Sequence, residues 1–278
     1  MTNSIAHPLV EDADAGELDG LVSLIAHRDG AAIIKLNTPV LNGQVAKALL
    51  QVCETLHGAD HLRVVFVEGG TDRVFCAGLD KAWLKLASTD WTDADLRDEA
   101  LSIVTALEAV TALPCLTVAL IDGDTIGGGV ALAACCDIAV ATQGSWFTVR
   151  EVMSGASGWL VAPFLVNAIG PRQAKALFAT GRALTAAQAE KIGLVQEVVE
   201  DREELKAAAE RLAEQAFATA PGAVAESKKM VWEVWGQKQD HGFLKDIAHK
   251  FATSRFSEEG REGMDAVING RQPNWSAD

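Results

Sequence analysis

Positive charge is scarce in this chain of 278 residues. Twenty-four Lys and Arg stand against 38 Asp and Glu, which leaves a net charge of −14 and a pI near 4.8. A field of that sign repels nucleic acid, and no run of Lys or Arg reverses it locally. An anionic ligand would need cations gathered at its own binding mouth. Long apolar runs are missing too: no stretch reaches the ~18 residues that a membrane-spanning helix requires. The opening MTNSIAHPLVEDADAGELDG is acidic and holds no apolar segment of the secretory kind. The cysteines Cys53, Cys76, Cys115, Cys135 and Cys136 form no C-x-x-C pair and are odd in number. Four lie in apolar stretches, so they read as small buried hydrophobes in a reducing compartment. The histidines His7, His27, His57, His61, His241 and His249 show no metal-ligand spacing. These absences lead to the expectation of a cytoplasmic protein with no nucleic-acid or membrane partner and no metal.

What is present is ordinary for a globular enzyme: 49% apolar and 22% charged residues. A chain of this length should bury roughly three quarters of its unfolded surface. Residues 1–17 read as a loose acidic arm. Ala31–Asn37 reads as a buried strand stopped by Thr38-Pro39, and Leu62–Glu68 as another. Gly43–Leu56 sets Val45, Leu49, Leu50, Val52 and Leu56 on one helical face. Further helices are expected near Lys81–Ala87 and over Asp93–Ala112, the latter with Leu101, Val104, Leu107 and Val110 inside. Leu116–Asp122 and Asp137–Ala141 read as strands, and Trp146-Phe147-Thr148 suits a short one. Pro171 after Gly170 suits the first position of a helix that Gly181 ends. Thr185 and Gln188 make a T-x-x-Q capping box for the next helix. Strands and helices alternate through residue 199 and only helices follow. The expectation is an α/β core over 18–200 and a helical region over 201–278.

Two loops combine glycine with a strand before and a helix after: Val74-Phe75-Cys76-Ala77-Gly78-Leu79-Asp80 and Gly123-Asp124-Thr125-Ile126-Gly127-Gly128-Gly129. Such loops are either plain tight turns or a pair of helix N-termini that aim backbone N–H groups at a ligand oxygen. Familiar phosphate and nucleophile motifs do not fit. The spacing from Gly123 to Gly129 is not G-x-G-x-x-G, no G-x-x-x-x-G-K-[ST] occurs, and Gly155-Ala156-Ser157-Gly158 is one residue short of G-x-S-x-G.

RVFCAGLD at 73–80 and IDGDTIGGGVALAACCDIAVAT at 121–142 resemble the first and second oxyanion loops of the crotonase (enoyl-CoA hydratase/isomerase) family. FTVREVMSG at 147–155 resembles its catalytic-glutamate segment. AIGPRQAKALFATGRALTAAQAEKIGLVQEVV at 168–199 resembles the helix–helix–strand that follows, and RQPNW at 271–275 its C-terminal tail. The likeness runs from about Ala31 to Trp275, in the family's order and spacing.

The resemblance implies a spiral of ββα units with an α-helical C-terminal region. It also implies an acyl-CoA substrate, with coenzyme A entering only as part of that substrate and no separate cofactor. The backbone N–H groups of Leu79 and Gly128 would hold the thioester oxygen, flanked by Ala77, Gly78, Asp80 and Gly127. Glu151 would be the acid/base. The family's two-glutamate hydratases carry their other glutamate where this chain has Ala131, which cannot transfer a proton. Three activities stay open: hydration of an enoyl-CoA with Glu151 alone, Δ3,Δ2-enoyl-CoA isomerisation, and acyl-CoA binding without chemistry. Trp83, Leu84, Trp159 and Phe164 are candidates to line the acyl pocket, whereas Asp80, at a helix start, reads first as a helix cap and only second as a further carboxylate. Lys35, Lys81, Lys85, Arg255, Arg261 and Arg271 are candidate CoA-phosphate contacts. Similar proteins are trimers or dimers of trimers, and apolar residues at 203–236 (Leu205, Leu212, Phe217, Met230, Val231, Val234) leave room for such burial.

Overall fold

A computed structural model describes residues 20–28, 30–59, 61–71, 73–237 and 240–276. The acidic arm read at 1–17 lies outside the described residues. In chain order the elements are β1 (Val22–Arg28), β2 (Ala31–Leu36), α1 (Gly43–His57), β3 (Val64–Glu68), β4 (Val74–Cys76), α2 (Lys81–Thr89) and α3 (Asp93–Thr111). There follow β5 (Leu116–Ile121), β6 (Asp124–Ile126), α4 (Gly128–Cys135), β7 (Ile138–Thr142), β8 (Trp146–Thr148) and a 3-10 turn over Glu151–Ser154. The chain continues through α5 (Ala162–Thr180), β9 (Ala183–Thr185), α6 (Ala186–Lys191), β10 (Glu197–Val199) and α7 (Arg202–Phe217). It ends with α8 (Pro221–Val234), α9 (His241–Phe256) and α10 (Glu258–Asn269).

Each of three consecutive strand pairs splits between two sheets. β3, β5 and β7 join a six-stranded sheet in the order β1-β2-β3-β5-β7-β10, while β4, β6 and β8 join a four-stranded sheet in the order β4-β6-β8-β9. All pairings are parallel except β1 on β2 and β9 on β8. Two strands followed by helix, repeated, make the spiral of ββα units. The central strands of the large sheet are covered on both faces, so β3, β5 and β7 are apolar at most positions. Val65 and Val67 of β3 and Ala119 and Ile121 of β5 enter one core with α1, α3, α4 and α5. The alternate residues Val64, Phe66, Val118 and Leu120 enter a second core, against Leu205, Ala208, Leu212 and Ala216 of α7.

Several elements differ from their sequence reading. β1 was not expected at all: it is an edge strand with four of its seven residues exposed, so it lacks an apolar signature. Leu101 of α3 is exposed rather than buried. The inward stripe runs through Ile103, Ala106, Leu107 and Val110, an i, i+3, i+4, i+7 set. β4 and β6 are three-residue strands inside what reads as glycine loop. The local grammar of 171–191 is as expected: Gly170 (φ 75°) breaks α5, Pro171 restarts it, Gly181 ends it in the left-handed region, and Thr185 with Gln188 closes a capping box on α6.

Candidate active site

β4, β6 and β8 lie side by side and run parallel, with Cys76 opposite Thr125 and Ile126 opposite Thr148. Whatever follows each strand therefore emerges at one edge of the small sheet. After β4, the Ala77 N–H donates to Pro39 O at 2.6 Å and Gly78 O accepts from the Leu41 N–H at 2.9 Å. Gly78 has φ +70°, and a Cβ there would lie 2.9 Å from Ile126 O and 3.1 Å from the Gly128 nitrogen. Only glycine lets the two loops approach so closely. After β6, the Gly127 N–H donates to Thr148 O, and α4 starts at Gly128. Neither the Leu79 nor the Gly128 N–H has an acceptor among the described residues. The second is an orphan donor at the positive end of a helix.

After β8 come Val149, Arg150 and Glu151. A Cβ on Gly127 would sit 2.7 Å from Glu151 Oε1, so the carboxylate lies directly against the second loop. Its Oε2 is buried without a hydrogen-bond partner. Burial lifts the carboxyl above its ordinary 4.5, outweighing its own backbone N–H and the Arg150 charge, which both pull it down. Among the described residues, no ion pair to Glu151 exists.

Glu151 opens onto a cavity of about 230 Å³ whose apolar walls include Val149, Val152, Trp159, Ala162 and Phe178. Trp159 stands at its rim, 79% exposed. Phe164 does not line it: that ring faces a separate cavity with Asn167, Lys228 and Trp232. Gly170 kinks α5 between Phe164 and Phe178, which line different cavities. Asp80 Oδ1 caps α2 by accepting the Trp83 N–H at 2.6 Å. The Trp83 ring nitrogen donates to Glu99 Oε1 at 2.9 Å, and Leu84 is exposed. Ala131 is completely buried in α4, so no side chain there offers a proton.

The candidate phosphate contacts are scattered. Arg271 is taken by Glu262 and Asp265, while Arg255 lies over Phe251 and Arg261 over Phe256. Lys35 lines a different cleft, of about 500 Å³, with Arg202 and Lys206. Lys81 and Lys85 are exposed on α2. Burial pushes the Cys53 and Cys76 thiols up to about 12 and Cys115 to about 11, which keeps them protonated and inert. Among the described residues no cluster of His, Cys, Asp and Glu could hold a metal ion, and no helix is long and apolar enough to cross a membrane. Sequence reasoning missed Phe178, Leu41 and Glu99. The first two carry only the bland signal of an apolar residue on a helix or loop, and Glu99 looks like any surface acid of α3.

Comparison with known proteins bears on the family and the fold. The sequence model described as enoyl-CoA hydratase/isomerase matches residues 26–278. The mitochondrial enoyl-CoA hydratase domain-containing protein 2 of Bos taurus is 30% identical over 279 residues, covering 94% of this chain and 89% of that protein. Enoyl-CoA hydratase AKT6-1 of Alternaria alternata is 29% identical, covering 98% of this chain and 94% of its own. Among solved structures, Pseudomonas aeruginosa AtuE superimposes with a TM-score of 0.85 at 28% identity, covering 92% of this chain and 100% of that one.

Proposed function

Because the chain belongs to the enoyl-CoA hydratase/isomerase family, we propose that it hydrates an enoyl-CoA thioester with Glu151 as its single acid/base. The thioester oxygen sits between the Leu79 and Gly128 N–H groups. As water adds to C3, its proton passes to Glu151 and the C2=C3 electron pair moves to the thioester oxygen. The two donors stabilise that enolate, each contributing ~3 kcal/mol. The proton then returns from Glu151 to C2. The observation that carries this reading is the Glu151 carboxylate, half-buried and unpartnered at Oε2, against the glycine that precedes Gly128. Its raised pKa brings it toward the operating pH of a general base. The apolar cavity beside it supports an uncharged acyl group, since its named walls offer no cation to a distal carboxylate.

One observation favours a second reading. Ala131 is buried where two-glutamate hydratases carry a carboxylate, so Glu151 alone moving a proton from C2 to C4 would make the protein a Δ3,Δ2-enoyl-CoA isomerase. The test is an assay with crotonyl-, 3-hexenoyl- and 3-methylglutaconyl-CoA, wild type beside Glu151→Gln. Addition of water to crotonyl-CoA, lost by at least ~10²-fold in the variant, is the expected result. Migration of the 3-hexenoyl double bond without added mass would replace hydration by isomerisation. Binding without turnover of any of the three would point to an acyl-CoA-binding homologue.

A further inference from the structure

We propose that Glu99 is a positioning residue that pins the first oxyanion loop from both of its ends. The inference rests on the oxyanion role given to Leu79 above. One end of the loop is strapped to Pro39–Leu41 by the Ala77 and Leu41 hydrogen bonds. That strap runs through Asn42 into Gly43, and the Gly43 N–H donates to Glu99 Oε1 at 2.5 Å. The other end runs through Asp80 into α2, a helix with no buried residue of its own. Trp83 ties α2 down: its ring packs edge-on against Trp91 at 5.4 Å, and its Nε1–H donates to the same Glu99 Oε1 at 2.9 Å. A single carboxylate oxygen thus receives one hydrogen bond from each flank of the loop.

The anchor itself is firm. Glu99 lies one turn before Ile103, the first of the α3 residues fixed in the core. Its negative charge sits at the positive end of α1, where Asn42 accepts the next two N–H groups, those of Gln44 and Val45. Gly43 is what admits it: a Cβ at 43 would overlap the Glu99 carboxylate. Leu41 connects the pin to the second loop as well, since its side chain reaches 3.4 Å from where a Cβ on Gly128 would be. An oxyanion donor acts only when aimed, and a displacement of ~1 Å costs on the order of 10²-fold in rate.

Trp83→Phe keeps an aromatic ring facing Trp91 but removes the N–H together with the five-membered ring that carries it, Glu99→Ala removes the acceptor, and the double variant closes a cycle that isolates the shared hydrogen bond. Two readouts are taken on the full chain. Amide hydrogen exchange over 77–84 should accelerate about tenfold in each variant with β5 unchanged, as expected of local opening. On the substrate that the wild type turns over, kcat should fall about tenfold in Trp83→Phe with KM nearly unchanged, and the double variant should be no worse than Glu99→Ala. If Glu99→Ala does not fold, Trp83→Phe decides alone. Unchanged exchange over 77–84 overturns the pin. So does faster exchange with an unchanged kcat, or a rise in KM alone, which would make Trp83 a plain substrate contact. A wild type that turns over no thioester sinks the functional reading only, and the exchange result still decides the pin.

Discussion

The Glu151 carboxyl has one oxygen beside Gly127 and the other buried without a partner, and both facts bear on how it responds to pH. Burial raises its pKa in the folded protein above the ordinary 4.5, so the folded state holds this proton to a higher pH than the unfolded chain does. Its contribution to stability is therefore fully present below the unfolded pKa and is lost as pH rises through the folded one. Glu151→Gln is neutral at every pH. It should melt at a higher temperature than wild type at pH 7, with the gap closing toward pH 4. A melting series across that range checks this, and a variant less stable at pH 7 would contradict it. The same group must be ionised to accept a proton, so the acid limb of kcat/KM should lie above 4.5 and vanish in the variant. Activity and stability pull on this residue in opposite directions, as expected where a site keeps a desolvated charge.

Three neighbouring strands do most of the assembly. Because β4, β6 and β8 are neighbouring and parallel, Leu79, Gly128 and Glu151 arrive together although 72 residues separate the first from the last. Gly127→Ala tests that juxtaposition. Its methyl would press on Glu151 Oε1 at 2.7 Å, and the backbone at φ +54°, ψ −112° costs a non-glycine residue ~1–3 kcal/mol. A kcat loss of at least ~10-fold is expected with a melting temperature only a few degrees lower. Equal kcat would show that Glu151 and the loop are not coupled. The parts of this site that could be read from sequence are the ones encoded locally. The glycine loops, the glutamate segment, the Thr185–Gln188 capping box and the Gly170-Pro171 break each lie within a few residues. Glu99 was not readable because its partners are 56 and 16 residues away, and nothing in its own turn distinguishes it. Phe178 meets Glu151 across 27 residues, through a helix whose kink hides which face is inward. β4 and β6 were hidden because each is only three residues long and embedded in a glycine-bearing loop.

At the scale of the molecule, the C-terminal helices pose a question of coverage. α7 is buried under the large sheet, but α8 and α9 have no buried residue, and Trp235, Phe251 and Phe256 are 68%, 63% and 71% exposed. These helices are nonetheless held in place. Lys228 of α8 donates to Asp137 Oδ2 and Cys115 O, both at 2.7 Å, and Glu259 caps the α8 N-terminus through Gly222 and Ala223. A surface so apolar and so well anchored is what a contact between copies needs. We propose that a trimer or hexamer, the assembly that the family resemblance implies, supplies that contact. The net charge of −14 on every copy opposes it, so burial of the aromatic side chains has to outweigh the repulsion. Two expectations follow in light-scattering mass measurements. The mass should be three or six times the 29.4 kDa chain and should hold better on dilution at high salt, which screens the repulsion. Trp235→Asp with Phe251→Asp should shift it toward one chain, most strongly at low salt. A single-chain mass for the wild type at every concentration and salt would mean that the exposed face of α8 and α9 serves some purpose other than self-association.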